Sequence, residues 1–250
     1  MMKKIIYDFG SNNGNNIPYY LLKSDLVIAV EANLALCDII KNRFKEHISN
    51  GKLIVENCVL NIGESSDQVA FYIHKTKHVL SQLPKPENID QYEEVLIFSK
   101  NVIELIRKYG DPFYIKIDVE HYDQVILREL FLNQIMPPYI SSESHSIDVF
   151  ASLVALGKYN SFKLVDGSSV SNRYKDYEIS TNDGTIEYSF PHHSAGPFGN
   201  DISGSWMTAK NFFRVLAFAG LGWKDIHASN IEEPDPNYAP QLQCKLSINF

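Results

Sequence analysis

Three groups of residues have side chains and spacings suited to chemistry. The first is Asp8-Phe9-Gly10-Ser11-Asn12-Asn13-Gly14, an acid and two glycines directly after the short apolar run Ile5 to Tyr7. Glycines in such a turn let the backbone bend sharply and approach a ligand without a Cβ in the way. The second is Glu31, which closes the apolar run Leu26 to Val30. A carboxylate at a strand end can accept both hydroxyls of a ribose. The third is a set of ionisable residues on two later stretches, Lys116, Asp118 and Glu120, then Glu143 and His145. Strand alternation puts Lys116, Asp118 and Glu120 on one side, opposite Ile115, Ile117 and Val119, and aligns Ser141 with Glu143 and His145. A lysine inside a buried strand is costly unless paired, so Asp118 or Glu120 is its natural partner.

The elements that must position these groups read as alternating strands and helices. Ile5 to Tyr7 and Leu26 to Val30 are continuous apolar runs, the pattern of strands buried on both faces, and Leu53 to Val55, Phe113 to Val119, Tyr139 to Ser144 and Phe162 to Val165 read as further strands. Between them lie a short crossover helix over Ile17 to Leu22, a helix capped by Asn33, one capped by Ser99, and helices after Tyr122 and Ile147. Strand-like stretches around Val69 to Ile73 and Val95 to Phe98 lie between. This order predicts an α/β fold, doubly wound on a mainly parallel Rossmann-like sheet. One domain over 1–250 is expected: a core of about 1–166, a polar insertion of about 167–205, and a C-terminal helix and tail over 206–250.

Parallel sheets bind ligands outside the carboxyl ends of their strands, where the first two groups converge on a nucleoside site. A dinucleotide would need G-x-G-x-x-G, whose glycines admit pyrophosphate to a helix N-terminus. This loop opens with Asp8 and lacks the third glycine. An acid is badly placed beside pyrophosphate and well placed beside the cationic amino-acid end of S-adenosylmethionine, which is the expected cofactor. An NAD-dependent oxidoreductase is the weaker alternative on the same architecture. A catalytically silent S-adenosylmethionine-binding protein is the alternative from another class.

The chain resembles the FkbM-like methyltransferases, whose pattern is D-x-G-A-N-x-G, then V-E-P, then K-I-D-V-E-G-x-E. Here these read Asp8 to Gly14, Val30-Glu31-Ala32, and Lys116-Ile117-Asp118-Val119-Glu120-His121-Tyr122-Asp123, in order across residues 4–165. Ser11 stands for the usual Ala, Ala32 for Pro and His121 for Gly. The resemblance implies methyl transfer to a hydroxyl of a sugar, glycoconjugate precursor or secondary metabolite. It also implies that Asp8, Gly10 and Gly14 line the methionine part of the cofactor, Glu31 its ribose, and Asn57 the neighbourhood of its adenine.

In the acceptor half, Lys116, Asp118, Glu143 and His145 are the catalytic candidates. His145 is the best base by intrinsic pKa, with Asp118 or Glu143 orienting it or the acceptor. Glu120, His192 and His193 are candidates for holding the acceptor. The segment from Gly167 to Ser205 is expected to fold back over the acceptor and to offer Tyr174, Tyr177, Tyr188 and Phe198 to a sugar face. Asp118, Glu143 and His145 would also serve a divalent ion, but nothing in the sequence fixes their separation, and no metal is expected. Pro137-Pro138-Tyr139 resembles the motif of base-amine methyltransferases, yet it begins with Met136 and precedes a strand; its expected job is ending a helix.

Composition narrows the partners. Thirty acids against 23 bases give a net charge of -7, which disfavours nucleic acid, and 44% hydrophobic residues suit a packed core. Cys37, Cys58 and Cys244 form neither a disulfide framework nor a zinc pattern and are expected as reduced, buried thiols. The start reaches Asp8 too soon for a signal-peptide core, and no apolar run approaches the ~20 residues that span a bilayer. A cytoplasmic protein with a small-molecule or carbohydrate acceptor, and no membrane or nucleic-acid partner, is expected.

Overall fold

The computed structural model describes residues 3–64 and 68–238. Its centre is an eight-stranded sheet in the order β3-β2-β1-β7-β8-β13-β9-β12, built from β1 (Ile5–Phe9), β2 (Leu26–Glu31), β3 (Leu53–Asn57), β7 (Tyr114–Ile117), β8 (Tyr139–Ser144), β9 (Ser161–Asp166), β12 (Met207–Thr208) and β13 (Gly222–Ser229). β3, β2, β1, β7 and β8 run parallel, while β13 lies antiparallel between β8 and β9. The chain winds outward from β1 to β3, then returns to start the other half at β7. The strand order therefore reverses between β1 and β7, the position at which doubly wound sheets open a ligand crevice.

Both faces of the sheet are covered, which is why β1 and β2 read as continuous apolar runs. Along β1, Ile5, Tyr7 and Phe9 join one core with α4 (Val102–Tyr109), α5 (Asp123–Leu132), α6 (Ile147–Ala155) and α8 (Ala209–Ala219). Ile6 points the other way, into a second core with α1 (Ile17–Lys23) and α2 (Leu34–Arg43), which the short α3 (Lys45–Ser49) follows. Asn33 caps α2 as its sequence suggests, accepting from the Ala35 N–H. For α4 the cap is Asn101, whose side chain accepts from Ile103 and Glu104. Ser99, the expected cap, is fully buried in β6 (Tyr92–Asn101) and accepts from Asn61 instead.

The segment from Gly167 to Ser205 differs from the expected polar cover. It contains α7 (Val170–Arg173) and the hairpin β10 (Tyr177–Thr181) with β11 (Gly184–Tyr188), and it packs onto the second face of the sheet. Tyr174 and Phe198 are buried there, with Phe198 stacked on Tyr114 at 4.1 Å between ring centres. They belong to the core and have no face free for a sugar. The stretches near Val69 and Val95 are strands, but in a separate small sheet, β4 (Val59–Asn61), β6 (Tyr92–Asn101) and β5 (Gln68–His74). β13 is the element the sequence did not reveal. Cys37 and Cys58 are buried, and Cys244 lies outside the described residues. Among the described residues, no helix is long and apolar enough to cross a membrane.

If the 167–205 segment is core, Phe198→Ala should cost about 3–5 kcal/mol, as large aromatic deletions do. Urea unfolding measures this; a change smaller than about 0.5 kcal/mol, the size of a surface substitution, would contradict the packing described.

Candidate active site

The carboxyl ends of β1, β2, β7 and β8, with the start of β13, open into one cavity of about 650 Å³. Gly10 turns the chain out of β1 at φ +79°, and a Cβ there would lie 1.8 Å from the Asp118 carbonyl oxygen. The glycine is thus required by the close crossing of the β1 and β7 ends. Gly14, at φ +78°, is pressed against Ile40, Ile17 and Phe44, so its role is helix packing rather than lining the cavity. Phe9 is buried in the core, and Ser11 ties the loop by donating to the Asp8 carbonyl at 2.7 Å. Asn12 and Asn13 face the cavity.

Glu31 fixes the junction of β1 and β2. Its carboxylate accepts from the Asn12 and Asn33 N–H groups, both at 2.8 Å, which leaves further lone pairs toward the cavity. Burial raises its carboxyl to about 7 against the opposing pull of those two bonds. Asn57 is not among the cavity-lining residues; its amide donates to the carbonyls of Glu31 and Ala32 and pins β3 to β2. The wall beyond Glu31 is apolar, formed by Leu36, Val59, Leu60, Phe71 and Val79.

Lys116 stands at the switch point. Its ammonium lies 2.9 Å from Asp118, 3.2 Å from the Gly10 carbonyl and 3.8 Å from Asp8. Burial disfavours the charge, but Asp118, Asp8 and Asp225 outweigh it and hold the lysine protonated well above its usual range. Asp118 stays below the carboxylate range because Lys116 overcomes its burial. Asp8, farther from the ammonium, is pushed by burial to about 6.

β7 ends at Ile117, and Glu120 and His121 adopt left-handed backbone at φ 44° and 64°. That turn brings Glu120 to Glu143 and His145 from the next strand. Nε2 of His145 lies 3.1 Å from Glu143 and 3.6 Å from Glu120. Burial raises Glu120 to about 8, with Asp118 adding to it, and burial also raises Glu143. His145 is raised to about 9, since Glu143 and its neighbouring acids outweigh its burial. Surrounded by acids, the ring is favoured in its protonated form.

Three groups were missed by sequence reasoning. Asp225 and Trp223 reach the cavity from β13, and residues 76–83, beyond β5, cover it from the small sheet. Alternation of Asp225, His227 and Ser229 against Ile226 and Ala228 was the available signal for β13. From the 167–205 segment only His193, Ser194 and Ala195 line the cavity, held by Asn16, which accepts from Ser194 and the Ala195 N–H. Both histidines are exposed; His193 stacks on Trp223 at 5.4 Å and lines the cavity, whereas His192 lies outside the lining.

Glu31 supplies a pH test. Its folded value of about 7 lies above the ordinary 4.5, so the stability it contributes is complete below pH 4.5 and lost as pH rises through about 7. His227, lowered by burial to about 3, acts with the opposite sign at acid pH, so the comparison needs a variant. Between about pH 6 and about pH 8.5 the thermal midpoint of wild type should fall more steeply than that of Glu31→Gln. Parallel slopes would remove Glu31 from the linkage.

No protein-family model matches the chain, and no curated protein matches it. Among solved structures it is similar to the methyltransferase FkbM from Methylobacillus flagellatus KT, at 15% identity and TM-score 0.43, covering 65% of this chain and 39% of that one. A putative RNA methyltransferase from Pyrococcus horikoshii aligns at 15% identity and TM-score 0.27, covering 56% and 48%. The [4+2]-cyclase SpnF aligns at 10% and 0.36, covering 67% and 56%. This chain thus spans between 39% and 56% of the length of these three proteins. At such scores the likenesses add no weight, and the α/β, doubly wound assignment rests on the strand order and register.

Proposed function

We propose that this chain is an S-adenosylmethionine-dependent methyltransferase that methylates a hydroxyl of a sugar, glycoconjugate precursor or secondary metabolite. The observation that carries the reading is the continuity of one cavity across the switch point. It runs from Glu31 and an apolar wall, past the Gly10 turn, to a group of buried carboxylates. An adenosine fits the first part, with its ribose on Glu31 and its base against Leu36, Leu60 and Phe71. The sulfonium and ammonium then lie beside Asp118 and Glu143, while Asp8 is fully buried outside the lining and reaches the site only through Lys116 at 3.8 Å. A pyrophosphate in that position would meet those same acids.

The chemistry required of the chain is modest. The acceptor oxygen attacks the methyl carbon in line with the carbon–sulfur bond, that bond breaks, and the sulfur leaves neutral. The acceptor's proton passes to Glu143 in its ionised form, a better base than a free carboxylate because burial raises its proton affinity. Orientation supplies the remainder of the rate. Glu120 and His193, which both line the cavity, are the groups proposed to hold the acceptor.

S-adenosylhomocysteine should bind in calorimetry and NAD should not. Glu31→Ala should weaken binding by about 1.5–3 kcal/mol, the range for a hydrogen bond to a charged group. Tight NAD binding, or an unchanged affinity in the variant, would overturn the cofactor placement. Asp118→Asn should abolish transfer of a labelled methyl group to acceptors in a cell extract while S-adenosylhomocysteine still binds. Cofactor binding with no transfer by wild type to any acceptor would favour a silent binding protein.

A further inference from the structure

Carboxyl groups outnumber the cationic side chains at the β7 and β8 ends, and their donor atoms are close together. One carboxylate oxygen each from Asp118, Glu120 and Glu143 and a ring nitrogen of His145 all lie within 4.8 Å of one another. An ion holding its ligands at about 2.1–2.4 Å places opposite ligands about 4.2–4.8 Å apart and adjacent ones about 3.0–3.4 Å apart. The 3.1 Å between His145 Nε2 and Glu143 matches the adjacent spacing, and that nitrogen is buried without a hydrogen-bond partner among the described residues.

A second observation comes from a different strand. Asp225 on β13 is 4% exposed, stands directly opposite Glu143 in register, and lines the same cavity. Its carboxylate makes no hydrogen bond or ion pair with any described residue. Like charges directly opposite on neighbouring strands repel. The one buried ammonium nearby, Lys116, is committed to Asp118, the Gly10 carbonyl and Asp8. A cation bound among these groups would let neighbouring carboxylates ionise together.

We propose that Asp118, Glu120, Glu143 and His145 form a site for one divalent cation of the Mg²⁺ or Mn²⁺ type, with Asp225 as an outer carboxylate. Three hard oxygens and one imidazole suit those ions better than a thiophilic metal. On the methyl-transfer reading, the ion shares its cavity with the acceptor. The binding claim itself stands without that reading.

The test is titration of chelator-stripped, full-length protein with Mn²⁺, following the free aquo-ion by electron paramagnetic resonance. One saturable site per chain, tighter than about 1 mM and emptied by excess Mg²⁺, is expected. Glu143→Gln and Asp225→Asn should each weaken it by about tenfold or more, while Asp183→Asn on the exposed β10–β11 turn should not. Absence of saturable binding to wild type overturns the proposal, whatever the variants do. Equal affinity in variants that keep the wild-type thermal midpoint overturns it as well. Calorimetry with S-adenosylhomocysteine on the same samples separates the two readings, because cofactor binding without Mn²⁺ binding removes the ion alone, and the reverse result removes the methyltransferase alone.

Discussion

Lys116 is buried at the middle of the sheet, with its ammonium against Asp118, the Gly10 carbonyl and Asp8. The other features of the crevice depend on that contact. It joins the loop after β1 to the end of β7, the two strands between which the order reverses. An isolated buried charge costs several kcal/mol, and breaking one partner of a buried pair typically costs about 3–5 kcal/mol. The loop that carries Gly10 therefore cannot move independently of Asp118. Gly10 serves the same crossing sterically, since a side chain there would overlap the Asp118 carbonyl.

Two different environments follow on either side of that contact. Toward β2 the wall is apolar and Glu31 is held by two backbone N–H groups, which fixes its orientation. Toward β8 and β13 the carboxylates of Glu120, Asp123, Glu143 and Asp225 are all raised by burial. An enclosure that holds acids above their ordinary range favours a positively charged occupant. The sulfonium of the proposed cofactor supplies one such charge. The charge of the proposed ion sits farther out, at the β7 and β8 ends.

How far the sequence could be read depended on what each strand faces. β1 and β2 lie between two covered faces, and their apolar composition announces it, whereas β8 is as buried with four polar residues of six. β13 is just as deep, but its residues toward the second face are Asp225, His227 and Ser229, so no apolar run marks it. The 167–205 segment looked polar because its buried aromatics, Tyr174, Phe190 and Phe198, enter the core singly rather than on a helical or strand period. Lys116 and its carboxylates were legible because a charge in a buried strand needs a partner. The left-handed turn at Glu120 and His121, which brings Glu120 to His145, has no glycine to announce it. The residues at 76–83 sit on an arm whose half-exposed β6 lacks clear alternation.

The central claim is that a nucleoside occupies the crevice with its ribose on Glu31 and its reacting sulfur turned toward the acids at the strand ends. A crystal structure with S-adenosylhomocysteine bound tests it most directly. The account predicts both ribose hydroxyls within hydrogen-bonding distance of Glu31, the adenine against Leu36, Leu60 and Phe71, and the sulfur facing Asp118 and Glu143. A nucleoside bound elsewhere, or one whose ribose makes no contact with Glu31, would contradict it.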